Sequence, residues 1–273
     1  MQEKTAFITG ATSGIGKAIA LRLAGEGINL IVNGRRTERL MALKDVIEND
    51  YGVKVRALSF DVRVYDEVEK ALNSLPDEWK DIDILVNNAG LAAGFDPIHQ
   101  GAVDDWERMI DTNIKGLLYV TRVISPGMVA RRAGHIVNIG SIAGKSVYPN
   151  GGVYCATKHA VDALSRGMRM DFLPYGIRVT QVCPGAVETE FSIVRFKGDS
   201  RRSDRVYEGY TPLVADDIAE AVCYAVMQPP HVDIQDVLVM PTAQADATMF
   251  YKDSAKLALS GEINIFACDS SFL

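Results

Sequence analysis

The chain has 273 residues, with 48% hydrophobic and 23% charged residues. Those are ordinary globular proportions and exclude a disordered chain. Twenty-nine basic against thirty-five acidic residues leave a formal charge of −6, which disfavours nucleic acid and anionic membrane as main partners. No apolar run approaches the ~18 residues of a membrane span. The N-terminus, MQEKTAF, lacks the basic-then-apolar layout of a signal peptide. Four scattered cysteines (Cys155, Cys183, Cys223, Cys268) and four scattered histidines (His99, His135, His159, His231) indicate neither a disulfide framework nor a metal site. A soluble, cytoplasmic protein is expected.

Seven short Val/Ile/Leu-rich runs are expected as strands: TAFIT from Thr5, INLIVN from Ile28, VRALSF from Val55, DILVNN from Asp83, HIVNIG from His135, RVTQVC from Arg178 and DVLVMP from Asp236. Several lack polar alternation, as strands covered on both faces do. Between them lie amphipathic stretches such as GKAIALRLAGEG and DWERMIDTNIKGLLYVTR. Strand–helix alternation predicts parallel strands joined by right-handed crossovers. The expected fold is therefore α/β: a Rossmann-type, doubly wound parallel sheet in three α/β/α layers. One domain is expected over residues 1–245, followed by an extension of unknown role over 246–273. The polar, basic stretch from Glu188 to Tyr210 interrupts the alternation and is either a solvated surface loop or a lid over a substrate.

Between the first strand and the first helix runs Thr9-Gly10-Ala11-Thr12-Ser13-Gly14-Ile15-Gly16. Glycines at this junction let a pyrophosphate approach amides at the helix N-terminus, where the dipole favours anions. Gly10, Thr12, Ser13, Gly14, Ile15 and Gly16 are thus candidate dinucleotide-binding residues, spaced GxxxGxG rather than GxGxxG. The second strand runs into Arg35-Arg36 where an NAD site commonly carries a carboxylate. Arginine suits a 2′-phosphate, although adjacent arginines are also ordinary solvated residues. Asp61, with Val62 beside it, either meets the adenine or caps the following helix.

Tyr154 and Lys158, four apart in YCATK, lie on one helix face. The ammonium is expected to lower the phenol pKa from its reference of about 10, making Tyr154 a general acid for carbonyl reduction or a base for alcohol oxidation. Ser141, after the fifth strand, is placed to donate a hydrogen bond to the substrate oxygen. Asn88-Ala89-Gly90 closes the fourth strand at the carboxyl edge of the sheet, where such folds bind ligands. Asn113 lies mid-helix in DTNIKG, where asparagine is a poor helix former. It is either a locally satisfied polar group or a distorting residue that binds a water relaying protons to Lys158. Pro184-Gly185 ends the sixth strand, with Val187 close by and Thr189 available for the nicotinamide carboxamide or the diphosphate. Cys155 is expected to pack within its helix.

With TGATSGIG, NNAG, Asn113, Ser141, YCATK and the Pro-Gly turn in this order, the chain resembles the short-chain dehydrogenase/reductase family over roughly residues 4 to 245. The resemblance implies a seven-stranded sheet in 3-2-1-4-5-6-7 order, dimers or tetramers, and hydride transfer between nicotinamide and a carbonyl/alcohol pair. It also implies Ser141, Tyr154, Lys158 and Asn113 as the catalytic set, Lys158 on the nicotinamide ribose, and NADP(H) over NAD(H) from the GRR segment. GRRTERL, SLPDEWKDIDILVNNAGLA, DWERMIDTNIKGL and TEFSIVRFKGD further resemble the 3-hydroxy acid dehydrogenase branch, which acts on L-serine and L-allo-threonine. On that basis Arg195 is expected to reach a substrate carboxylate, with Lys197 and Arg201 as competing candidates. A carbonyl reductase of broad specificity and a non-catalytic NADP(H) sensor are the alternative functions.

Overall fold

The computed structural model describes residues 4–253. Most of the expected extension, residues 254–273, lies outside the described residues, as do residues 1–3. In chain order the elements are β1 (Thr5–Ile8), α1 (Gly14–Ala24), β2 (Asn29–Gly34), α2 (Thr37–Tyr51), β3 (Val55–Ser59), α3 (Tyr65–Asn73) and β4 (Ile84–Asn87). They continue with α4 (Val103–Ile110), α5 (Leu117–Arg131), β5 (His135–Ile139), α6 (Gly152–Phe172) and β6 (Arg178–Pro184). Two short helices, α7 (Glu190–Arg195) and α8 (Ser200–Arg205), precede α9 (Ala215–Val226) and β7 (Asp236–Val239).

All seven expected strands form one parallel sheet in the order β3-β2-β1-β4-β5-β6-β7. Period-2 alternation divides the central strands between two cores. Ala6 and Ile8 of β1, with Leu30 and Val32 of β2, face α1, α2 and α9 through Ile19, Leu23, Leu43, Ile47, Ile218 and Val222. Phe7 and Ile31 face the opposite layer, where Val68, Leu72, Val120, Ile124, Met128, Val161 and Met168 come from α3, α5 and α6. Central β1 and β5 are buried along their whole length, whereas edge strand β7 alternates exposed and half-buried residues. That contrast is why the central runs are almost uniformly apolar. Among the described residues, no helix is long and apolar enough to cross a membrane.

The stretch DWERMIDTNIKGLLYVTR is not one regular helix. Between α4 and α5 the turn Asp111–Gly116 is π-helical, a widening that marks functional positions in helices. Past residue 245 the chain folds back: Gln244 and Phe250 form an antiparallel bridge, and the Phe250 ring lies 5.0 Å from that of Tyr210.

One core residue makes the fold sensitive to acid. His135 is almost fully buried, and its Nε2 lies 2.8 Å from Thr180 Oγ1. Thr180 donates its own proton to Ile234 O, so Nε2 is the protonated nitrogen and donates to the hydroxyl. Nδ1 then has no partner among the described residues. Burial therefore pushes the imidazole pKa down to about 3, helped by nearby Arg178 and Lys4. The unfolded chain binds more protons at this residue between its ordinary pKa and that value. The neutral ring's contribution is complete above the unfolded pKa of about 6.5 and is lost as pH falls toward the folded one. Stability at pH 5 should be lower than at pH 7 by roughly 2 kcal/mol from this residue alone. Denaturant titration of wild type and His135→Phe at both pH values measures it; equal losses in the two proteins would refute it.

Candidate active site

The carboxyl ends of the strands open into a cleft. Its wall runs from Arg35, Arg36, Asp61 and Val62, past the phosphate loop and Asn88–Gly90, to Ser141, Tyr154 and Lys158. Pro184, Gly185, Val187 and Thr189 line its other side. The cofactor candidates thus border the same cleft as the Ser–Tyr–Lys group, including Gly10, Thr12, Ser13, Gly14, Ile15 and Gly16.

The phosphate loop is held by side chains just after β1 and β4, and by its own Ala11 amide, which donates to Asn33 O at 2.8 Å. Thr9 Oγ1 accepts from Asn88 N at 3.0 Å and Ala89 N at 2.9 Å while donating to Val86 O. Asn88 Nδ2 donates back to the carbonyls of Thr9 and Gly10. Gly10 has φ +66°, a backbone state that disfavours side chains. Gly16 is required by space: a Cβ there would lie 2.4 Å from both Asn88 Nδ2 and Gly10 O. The Ser13 side chain does not cap α1; its hydroxyl accepts instead from Arg36 Nη2 at 2.7 Å. An uncapped helix start beside a tight glycine loop fits a diphosphate. Asn33 sends its amide to the carbonyls of Leu58 and Phe60, so the last strand residues of β2 offer no carboxylate to a ribose.

Asp61 does not cap α3, whose N-cap is Val64. It accepts from the backbone and guanidinium of Arg63 and lies 3.7 Å from Arg35. Burial raises its pKa, but the arginines outweigh that and hold the carboxyl below its ordinary value. Arg36 is the more engaged of the paired arginines, donating to Thr12, Ser13 and Glu190.

At the other end, Tyr154 and Lys158 sit a turn apart on α6, both buried. Lys158 Nζ donates to Ile139 O at 2.9 Å and lies 6.0 Å from the centroid of the Tyr154 ring. The expected lowering of the phenol pKa by this ammonium is not what the structure gives. Burial raises the Tyr154 pKa beyond the usual phenol range, with Tyr148 adding to the effect and Ser141 and Arg195 opposing it. Burial likewise brings Lys158 down to about 8. Both groups are almost wholly removed from water, and desolvation favours their neutral forms over mutual attraction. Ser141 Oγ accepts from Ala143 N at 3.1 Å, and its side chain also hydrogen-bonds to Tyr154.

Asn113 lies in the π-helical turn and is buried. Its Oδ1 accepts from Leu91 N at 2.8 Å, and its Nδ2 donates to Leu91 O and Thr157 Oγ1. It therefore pins the segment after β4 to α6, beneath Gly90.

The Glu188–Tyr210 insert is not an irregular loop. It carries α7 and α8, and α7 lies over the cleft: the Phe191 ring is 5.7 Å from that of Tyr154. Thr189 caps α7 by accepting from Phe191 N, and it also abuts Gly14, whose Cβ would lie 3.4 Å from the threonine side chain. The carbonyl of Arg195 accepts from Gly94 N at 3.1 Å, tying the end of α7 to the segment after β4. Lys197 is engaged by buried Asp105 at 2.7 Å, and Arg201 is exposed on α8. Cys155 is fully buried against this cluster, a packing position.

Compared with known proteins, residues 4–199 match the family described as short chain dehydrogenase. The chain belongs to the short-chain dehydrogenase family. A relative in it, the NADP-dependent 3-hydroxy acid dehydrogenase YdfG of Salmonella typhimurium, is 49% identical over 242 residues, covering 88% of this chain and 96% of the relative. The serine 3-dehydrogenase of Agrobacterium fabrum is 44% identical over 243 residues, covering 89% and 96%. Among solved structures, the closed form of serine dehydrogenase complexed with NADP+ superposes with a TM-score of 0.86 at 46% identity, covering 90% of this chain and 98% of that one.

Several side chains that shape the short-chain dehydrogenase cleft were not among the site residues expected from the sequence. Gln244 Oε1 accepts from Ala186 N at 2.8 Å and packs so closely on Gly185 that a Cβ there would come within 2.5 Å. Phe95 and Tyr148 enclose Arg195, and Arg39 and Glu190 meet beside Arg36. Thr9 lies inside the glycine motif, Arg39 inside GRRTERL and Glu190 inside TEFSIVRFKGD, so local patterns held these residues but not their contacts.

Proposed function

We propose that the chain is an NADP-dependent oxidoreductase acting on the hydroxyl group of a 3-hydroxy acid or the corresponding carbonyl compound, in the cytoplasm and as a homodimer or homotetramer. The named relatives support the reaction class and cofactor. The observation that carries the substrate is the setting of Arg195. Its guanidinium carbon lies 4.8, 5.4 and 5.6 Å from the ring centroids of Phe95, Tyr148 and Tyr154. Nη2 donates to Tyr148 Oη at 3.1 Å, and buried Nε has no partner among the described residues. A planar fork fixed by aromatic rings, with a donor unspent, suits a carboxylate. Its closeness to Tyr154 suits a substrate whose carboxylate and reacting hydroxyl are separated by two bonded carbons.

NADP(H), when bound, supplies the two-electron transfer between its nicotinamide and the carbinol carbon. Arg35 and Arg36 would hold the 2′-phosphate, Asp61 and Val62 would border the adenine, and Gly10, Thr12, Ser13, Gly14, Ile15 and Gly16 would hold the diphosphate. Asn88, Ala89, Gly90, Pro184, Gly185, Val187 and Thr189 would line the path to the nicotinamide, with Lys158 on its ribose. Tyr154 takes the hydroxyl proton when an alcohol is oxidised and returns it when a carbonyl is reduced. Ser141 holds the substrate oxygen against Tyr154, and Lys158 passes the proton onward. The side-chain amide of Asn113 is already committed, so it is the widened backbone turn around it that serves a relay water. Arg195 orients the substrate so that its hydroxyl meets Tyr154.

Initial rates of NADP+ reduction with L-serine, L-allo-threonine, 3-hydroxybutyrate and a neutral secondary alcohol test this assignment. Arg195→Ala should raise KM for the 3-hydroxy acids about 10- to 100-fold, the worth of a charge-assisted hydrogen bond, and leave KM for the neutral alcohol unchanged. Equal effects on both substrate classes sink the carboxylate role and favour a carbonyl reductase of broad specificity. Cofactor binding with no turnover of any substrate favours a sensor.

A further inference from the structure

The cofactor end of the cleft holds a carboxylate that the assignment above does not use. Glu190, the first residue of α7, reaches across to the β2–α2 connection. Its Oε2 accepts from Arg36 Nη1 at 3.0 Å and its Oε1 from Arg39 Nη1 at 2.8 Å. The same Arg36 donates through Nε and Nη2 to Thr12 Oγ1, and through Nη2 to Ser13 Oγ. Hydrogen bonds from the two arginines hold the Glu190 carboxyl below its ordinary pKa, so it is an anion at neutral pH.

We propose that Glu190 is a specificity-determining residue of the cofactor site, an internal anion that competes with the cofactor's 2′-phosphate for Arg36. The proposal rests on the NADP assignment of Arg35 and Arg36. All three nitrogens of the Arg36 fork are engaged, Nε and Nη2 by two neutral hydroxyls and Nη1 by the Glu190 carboxylate. A phosphate dianion that takes the fork must either displace that carboxylate or lie within a few ångströms of it, and both weaken its binding. A neutral ribose hydroxyl at the same place does neither. The competition therefore acts on NADP(H) and spares NAD(H).

The strength of the contact fits an exchangeable partner. The side chains of Arg36, Arg39 and Glu190 are 44%, 50% and 45% exposed, and pairs this wet are each worth no more than about fivefold in an equilibrium constant. Arg39 has the complementary role. It offers the displaced carboxylate somewhere to remain, so it favours phosphate binding without touching the phosphate.

The test uses the full chain and two fragments, adenosine 2′,5′-bisphosphate and adenosine 5′-monophosphate, with affinities from calorimetry. Neither measurement involves turnover. Glu190→Gln should bind the bisphosphate about threefold to tenfold more tightly, the worth of one or two such pairs, and the monophosphate within about twofold of wild type on the same scale. Glu190→Ala, checked for its fold by circular dichroism, should behave alike. Arg39→Gln should weaken the bisphosphate in wild type and have no effect in the Glu190→Gln background, because it acts only through the carboxylate. If wild type prefers the bisphosphate but Glu190→Gln does not tighten it, or tightens both fragments equally, the competition is absent and the NADP assignment stands. If wild type binds both fragments equally, Arg35 and Arg36 do not read a phosphate, and the role of Glu190 falls with them.

Discussion

Tyr154→Phe should lower kcat for 3-hydroxy acid oxidation by about 100- to 10,000-fold, the usual range for removing a positioned acid–base group. The change deletes one oxygen from a buried side chain whose ring packs near Phe191, Lys158 and Arg195. The fold and the Kd for NADP+ should therefore be nearly unaltered, which makes the variant a clean probe of chemistry. Burial has already raised the phenol above its ordinary range, so the hydroxyl keeps its proton at neutral pH in the protein alone. Ser141 and Arg195 pull in the other direction. The expected pH profile of alcohol oxidation rises with pH as Tyr154 loses its proton. Single-turnover rates with saturating NADP+ across pH 6 to 10 measure this, and a Phe variant retaining more than a tenth of wild-type kcat would remove Tyr154 from the proton path.

The second large effect is expected at Gly16. Alanine there brings a methyl group to 2.4 Å from the Gly10 carbonyl, which is backbone and cannot rotate away, and equally close to the Asn88 amide. Relieving the contact means moving the phosphate loop off the end of β4 and breaking the hydrogen bonds from Asn88 Nδ2 to Thr9 and Gly10. Overpacking of this kind costs about 1–3 kcal/mol, equivalent to a melting point lower by several degrees in a chain of this size. In the proposed assignment the loop holds the diphosphate, so NADP+ affinity should fall by at least about tenfold, one factor of ten per 1.4 kcal/mol lost. Calorimetric Kd and thermal unfolding of Gly16→Ala report the two consequences separately. A variant with wild-type affinity would show that the loop can move without cost.

Why these residues differ in legibility follows from the distances involved. The seven strands were readable because central parallel strands bury both faces and so carry apolar runs, as in Leu30–Val32 and Ile84–Val86. The phosphate loop, the Tyr154–Lys158 spacing and the Asn88–Gly90 segment are local patterns, and a local pattern survives in one dimension. The Glu190–Arg36 and Glu190–Arg39 contacts join residues 154 and 151 positions apart, and nothing near Glu190 in sequence announces its partners. The aromatic enclosure of Arg195 likewise draws on Phe95 and Tyr148 from separate segments. The electrostatics of Tyr154 failed for another reason. Sequence displays the neighbouring charge of Lys158, but desolvation depends on everything packed around the pair. The π-helical turn at Asp111–Gly116 was half visible: a mid-helix asparagine signalled strain, but the periodicity of DWERMIDTNIKGLLYVTR still looked regular.

The strand order also governs how the chain assembles itself in time. β1, the first strand of this sheet to be synthesised, occupies its middle, flanked by β2 and β4. Its β2 edge is closed after a short excursion through α1. Its other edge waits for Ile84–Val86, and the hydrogen bond from Thr5 N to Asp83 spans 78 residues. Closing so long a loop carries its entropy cost before any contact returns it. Until then a strand that is apolar from Ala6 to Ile8 has one bare edge, the feature that makes nascent parallel sheets prone to aggregation. Synthesis from the N-terminal side thus places the period of greatest exposure between the emergence of β2 and that of β4.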